Sequence, residues 1–175
     1  QKLKDALVTL RPFGEKRGFF ASMPEMRAEE LAELLPEAVS YSDQVATIAR
    51  ELAATKSEID KNEATMESLR PWEQFPADMQ TFSSARTVKY FAGLIAAQDV
   101  EKLEAIEQTA EYQLFNEGAF RACVVACQLN EAKAVGNVLK SRNWTDVVFP
   151  KLSGTPAEAM QELYERNRTL TAKKV

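Results

Sequence analysis

A chain of 175 residues suffices for one domain, or for one domain and an arm. Its 45% hydrophobic and 27% charged content are those of a folded protein with a core. Lys and Arg number 22 against 26 Asp and Glu, a net charge of −4 with no histidine. That argues against non-specific duplex binding, which needs clustered cations, and removes the usual general base near neutral pH and the commonest metal ligand.

Two cysteines, Cys123 and Cys127, are too few for a disulfide framework. No apolar run approaches the roughly 20 residues that cross a bilayer, and no secretory pattern opens the chain. It begins at Gln1 inside a helix-like phrase, so a piece of something longer is expected.

Lys2 to Arg11 reads as a short helix with Leu3, Leu7 and Leu10 on one side. Pro12, Gly14 and Gly18 punctuate its end. Phe13, Phe19 and Phe20 are apolar and close together, and packing on a neighbour is expected of them. Ser22 or Pro24 starts the next helix, with Glu29 and Glu30 near its positive end. Pro36 predicts a kink or break. From Glu37 a long helix is expected to about Leu69, a rod of about 50 Å.

That helix carries an apolar stripe: Ala38, Tyr41, Val45, Ile48, Leu52, Thr55, Ile59, Asn62, Met66 and Leu69 alternate steps of three and four. This is the seam of a coiled coil rather than the broader face of a helix lying on a core. Arg70-Pro71 stops it. Trp72 to Pro76 is a turn whose two aromatics read as a plug between rod and head.

Beyond the turn the period changes. Thr87 to Ile95 reads as a strand, in which Gly93 marks a bulge or a close backbone approach. Asp99 caps a predicted helix to about Thr109, with Val100, Leu103 and Ile106 inward. Glu111 to Phe115 and Ala119 to Gln128 read as strands about an Asn116-Glu117-Gly118 turn. Asn130 caps a predicted helix to about Arg142, and Trp144 to Phe149 is a last strand. The β-α-β-β-α-β order predicts a ferredoxin-like lobe, a four-stranded antiparallel sheet with helices on one face.

Thr155-Pro156-Ala157-Glu158 is a capping box with Pro at the first helical position. In the helix it launches, Met160, Leu163, Asn167 and Leu170 again step three, four, three. The helix is expected to run back along the first, with Leu69 against Met160, Met66 against Leu163, Asn62 against Asn167 and Ile59 against Leu170. Asn against Asn satisfies both amides, whereas Asn against Leu leaves one unpaired at about 1–3 kcal/mol. The expected fold is α+β, a long antiparallel helical hairpin carrying the lobe at its tip. Its parts are residues 1–26 (N-terminal helix and connector), 27–72 (first coiled-coil helix), 73–154 (distal lobe) and 155–175 (return helix). The seam is Val45, Ile48, Leu52, Ile59, Asn62, Met66, Leu69, Met160, Leu163, Asn167 and Leu170. Along Ala38 to Ala54 the returning helix offers no cover, leaving the helix at Leu3–Leu10 or a second chain.

Few residues suggest chemistry. Cys123 and Cys127 face one side of a strand with Val125. A metal site needs about four ligands, so buried thiols are the better reading. No Gly-rich phosphate loop is present. No histidine can activate a serine in a triad. Glu29, Glu30, Glu101, Glu104 and Glu107 fit solvated helix faces. The aromatics lack the interleaved Lys and Arg of a base-stacking platform. No catalytic, cofactor or metal residue is assigned.

Three phrases carry a resemblance: SLRPWEQF (Ser68–Phe75), TVKYFAGLIAAQDVEKLEAI (Thr87–Ile106) and NWTDVVFPKLSGTPAEAMQEL (Asn143–Leu163). Together with the long helix before them, the chain resembles the cytoplasmic N-terminal region of subunit I, also called subunit a, of V/A-type rotary ATPases. In that family an L-x-P-W phrase precedes the distal lobe, as Leu69-Arg70-Pro71-Trp72 does here. The family's first-strand turn carries a proline, where this chain reads Gly93-Leu94-Ile95-Ala96-Ala97. The family's proximal lobe and transmembrane part lie outside the matching region, so a fragment with the distal lobe and part of the rod is expected.

The resemblance implies a non-catalytic stator arm at the cytoplasmic face of the membrane. It implies peripheral-stalk E and G subunits as partners of an unspecified surface of the 87–149 lobe, and contact with the membrane sector through missing regions. It implies no cofactor, no nucleic acid and no membrane span within this piece. A competing reading is a ferredoxin-like small-molecule sensor with a coiled-coil dimerisation arm, which needs a polar notch between the strands of paired heads. An RNA-binding coiled-coil arm would display a basic stripe, against the acidic balance here.

Overall fold

A computed structural model describes residues 1–14, 26–83 and 86–172. They fall into two compact units, Gln1–Glu58 and Ile59–Lys173. Gly18, Phe19, Phe20, Ser22 and Pro24 lie outside the described residues.

In the first unit, α1 spans Lys2–Leu10. Leu3 and Ala6 are half-buried, whereas Leu7 and Leu10, expected to share the side of Leu3, are exposed. Helix α2 spans Ala28–Leu69 and passes through Pro36 without the expected break. The proline forfeits one backbone bond. Both Pro36 and Ala32, whose carbonyl would have accepted that bond, are exposed, so water can serve it instead. Lys2 Nζ lies 2.9 Å from Asp43 Oδ1, so α1 sits over the flank of α2 that carries Ser42. The protected side of α2 here is Ala38, Ser42, Val45 and Ala49. Ile48 and Leu52, in the stretch where the returning helix offers no cover, stand 63% and 41% exposed.

In the second unit α2 ends at Leu69, where Pro71 cannot continue the hydrogen-bond ladder and disfavours helix at the residue before it. A single 3₁₀ turn, Arg70–Trp72, follows. Strands β1 (Val88–Ala96), β2 (Ala110–Leu114), β3 (Phe120–Gln128) and β4 (Thr145–Asp146) form one sheet in the order β2-β3-β1-β4. Every pairing is antiparallel. Helix α3 (Ala132–Ser141) and a 3₁₀ segment (Ala97–Ile106) are the two crossovers, and α4 spans Pro156–Ala172. The fold is α+β, with the ferredoxin-like strand order.

The first crossover was expected to be an α-helix capped by Asp99. Its inward residues Val100, Leu103 and Ile106 are three apart, which aligns them on a helix of three residues per turn, and Leu103 and Ile106 are buried. Asp99 caps nothing: it is buried, bonded to Lys102 and accepting Asn143 Nδ2 at 3.3 Å. Asn143 sits at φ 58, just beyond α3, in the left-handed conformation common after helix ends. Asn130 is likewise not a cap, since Glu131 holds that position without a side-chain bond. Strand β4 is two residues long rather than the expected six. After Val147 N–H donates to Ala92 O at 2.8 Å, Val147 and Phe149 pack with an aromatic cluster instead of extending the ladder.

The sheet is covered on both faces. On one, Cys123 and Val125 meet Leu103, Ile106, Val135 and Leu139. On the other, Ala92, Leu94, Ala122 and Val124 lie beneath Trp72, Phe75, Phe115 and Phe149. Asn116 closes the β2–β3 loop by accepting Ala122 N–H at 2.6 Å and donating to Phe120 O at 2.9 Å. Gly93 marks a close approach and not a bulge: the β1–β3 register runs through it unbroken, and a Cβ there would meet the Trp144 ring at 2.2 Å and Thr145 O at 2.6 Å.

Two glycine substitutions should therefore move stability in opposite directions. Gly93→Ala must displace Trp144 or β4, and a loss of about 1–3 kcal/mol is expected. Gly136→Ala places its methyl 3.5 Å from the Phe91 ring, an ordinary contact, and should gain about 0.5–1 kcal/mol from reduced backbone freedom in α3. Urea unfolding of both variants checks the signs.

Candidate functional site

The functional reading rests on the helical pair and the sheet surface of the second unit. Leu69 packs with Ala159 and Met160, while Asn62 Nδ2 donates to Asn167 Oδ1 at 2.7 Å, so α4 runs antiparallel to the last turns of α2. Asn167 Nδ2 also reaches Ile59 O at 3.5 Å. Leu163 is buried, and Ile59, Met66, Met160 and Leu170 are half-buried. In the first unit Val45 is half-buried, and Ile48 and Leu52 are exposed.

The start of α4 is held from both sides. Gly154 takes φ +85, and the capping box closes reciprocally: Thr155 N–H donates to Glu158 Oε2 at 2.9 Å and Glu158 N–H to Thr155 Oγ1 at 3.3 Å. Asp78 ties a preceding loop to this turn, accepting Gln80 N–H at 2.7 Å and Gly154 N–H at 3.0 Å. Those two N–H donors, Gln80 first, hold its carboxyl below the usual range. Lys102 and then Asn143 do the same for Asp99.

Trp72 is fully buried. Phe149 meets it edge to face with ring centroids 4.9 Å apart, Phe75 edge to face at 6.2 Å, and Phe115 at a tilt, also 6.2 Å away. Its indole N–H is buried without a hydrogen-bond acceptor, so ring packing rather than polar pairing sets its place. Phe75 was readable as part of this plug. Phe115 and Phe149, each the last residue of a predicted strand, were not.

Cys123 and Cys127 are free, buried thiols in the sheet core. Burial pushes the Cys123 thiol up to about 12, which keeps it protonated and unreactive. Among the described residues no three His, Cys, Asp or Glu side chains gather as a metal site. Glu29, Glu30, Glu101, Glu104 and Glu107 are exposed on helical surfaces. Beside the aromatic plug a groove of about 360 Å³ opens over the sheet, lined by Pro76, Thr81, Tyr90, Glu111, Gln113 and Ala126 among others. No described helix is long and apolar enough to cross a membrane.

No family model and no curated protein sequence matches the chain. Among solved structures it is similar to the crystal structure of the cytoplasmic N-terminal domain of subunit I, homolog of subunit a, of V-ATPase. The TM-score is 0.58 at 15% identity, over 98% of this chain and 57% of that one. The chain has the fold of that domain. It spans little more than half the length of the similar structure, and at this identity the likeness speaks for fold.

Replacing Asn167 by Leu should strand the Asn62 amide in the helical pair and cost about 1–3 kcal/mol. The Asn62→Leu/Asn167→Leu double variant should recover most of that loss, as two apolar partners leave no amide unmatched. Chemical denaturation of the three variants measures the coupling. For Asp78 the folded carboxyl titrates below the unfolded one, so its stabilisation is complete above about pH 4 and is lost as pH falls through the folded value. Asp78→Asn should therefore lower the Tm at pH 6, and the gap to the parent should narrow as the pH falls below about 4.

Proposed function

We propose that this chain is part of the non-catalytic stator arm of a proton- or sodium-translocating V/A-type ATPase. In this reading it docks peripheral-stalk E and G subunits through the 87–149 lobe and resists rotor torque at the cytoplasmic face of the membrane. The observation that carries the reading is the likeness of fold to the subunit I domain over 98% of the chain. It agrees with the family motifs at Leu69–Trp72 and Asn143–Leu163.

The physics of the second unit suits such a role. A load-bearing joint needs packing that resists shear, and a fully buried indole among three phenyl rings supplies it without a polar network that water could exchange. The antiparallel helices have a polar register mark at Asn62 and Asn167, which disfavours sliding by one turn. The cysteines are inert core groups, and the carboxylates considered for catalysis are dispersed on solvated surfaces. Ion translocation in this reading belongs to the membrane-embedded part of the parent subunit.

Calorimetry of the chain with a purified stalk E/G heterodimer tests the docking. Saturable binding that is weakened by charge reversal on the lobe surface is the expected result. No association at protein concentrations of tens of micromolar would remove the docking claim.

A further inference from the structure

Strand β2 ends the sheet, and its open side is set for a further strand. Phe115 N–H donates to Ala122 O at 2.9 Å, so Glu111 and Gln113, which alternate with it, also turn their backbone groups toward β3. Tyr112 and Leu114 turn theirs the other way. No hydrogen bond among the described residues closes the outward N–H and C=O of Tyr112 or Leu114. Such a row of unmet groups is a template for pairing.

The two faces of the strand specify the segment that fits. On the aromatic side, Glu111, Gln113 and Phe115 line the groove of about 360 Å³, together with Tyr90 and Ala126. On the other side Tyr112 is half-buried, and its phenol is pushed up first by burial and then by the nearby Glu107 and Glu104 carboxylates. From Leu103 to Phe120 the chain has four carboxylates and no Lys or Arg. Among the described residues Glu104, Glu107 and Glu111 form no ion pair. Negative charge therefore flanks the open edge on both faces. A second copy pairing here would double that charge at one seam, which is how charged edges keep like strands apart. A cationic strand would be drawn to it.

We propose that the outer edge of β2 is a docking site for an extended, basic segment of another protein, added as a fifth strand beside Tyr112 and Leu114. One Lys or Arg of that segment lays its aliphatic stem in the groove with its charge at Glu111. The next residue, sent by strand alternation to the opposite face, brings its charge to Glu104 and Glu107. The inference rests on the edge and not on the stator reading. Stalk subunits that fail to bind would leave it standing, and failure of the strand peptide below would leave stalk docking elsewhere on the lobe untouched.

The test uses the full 175-residue chain and a short synthetic peptide of Thr and Val with two adjacent lysines at its centre. Its comparators carry two glutamates in place of the lysines, or keep the lysines and are N-methylated at every second residue, in either phase. Fluorescence anisotropy should show the Lys peptide binding about tenfold or more tighter than the Glu peptide, and loosening with salt. One N-methyl phase should bind and the other should not, since only one set of peptide N–H groups faces β2. Bound peptide should slow amide exchange at Tyr112 and Leu114 about tenfold or more while leaving β3 unchanged. Glu107→Lys/Glu111→Lys should shift preference to the Glu peptide. Leu114→Pro, which removes an outward donor and no ladder bond, should abolish binding. Equal binding of the two N-methyl phases, indifference to the charge reversal, or no binding with Tyr112 and Leu114 exchange unmoved would overturn the proposal. So would light scattering that finds the chain a dimer dissolved by Leu114→Pro, since a second copy would then own the edge.

Discussion

Everything in the Ile59–Lys173 unit depends on where Trp72 goes. Pro71 stops α2, and the single 3₁₀ turn that follows carries the indole onto the sheet face opposite α3. There it covers Ala92, Leu94, Ala122 and Val124, with Phe75, Phe115 and Phe149 around it. A ferredoxin-like sheet with helices on one side would otherwise leave its second face to solvent. Truncating a buried aromatic of this size costs about 3–5 kcal/mol, a large share of the roughly 5–15 kcal/mol by which domains are stable. The joint between helices and sheet is thus a principal part of the core.

The polar contacts around that joint do a different task. Asn62 with Asn167, the Thr155–Glu158 box and the Asp78 clamp each contribute little net stability, because each replaces bonds that water would make. Misplacing the asparagine pair is costly, since a buried amide would lose its partner. They select one register of α4 against α2 and one path of the chain into α4. Apolar burial supplies the free energy and hydrogen bonds choose the arrangement.

Much of this was legible in the chain. The change from steps of three and four to strand-like alternation marks the lobe, and the capping box announces α4 residue by residue. The two asparagines stand out because polar residues interrupt otherwise apolar stripes. What was misread has local causes. Spacing of three at Val100, Leu103 and Ile106 fits a 3₁₀ segment better than an α-helix. The length of β4 depends on Val147 and Phe149 turning to a cluster assembled from distant segments. The resemblance to the subunit I domain was carried by three phrases, Ser68–Phe75, Thr87–Ile106 and Asn143–Leu163.

The central claim is that the terminal turns of α2, the helix α4 and the sheet are one cooperative body held by Trp72. Native-state amide hydrogen exchange in rising urea measures it directly. Amides of Ile59–Leu69, Leu163–Leu170 and β3 should share one opening free energy and one urea dependence. A helical pair that exchanges freely while β3 stays protected would show that the joint is not the constraint described.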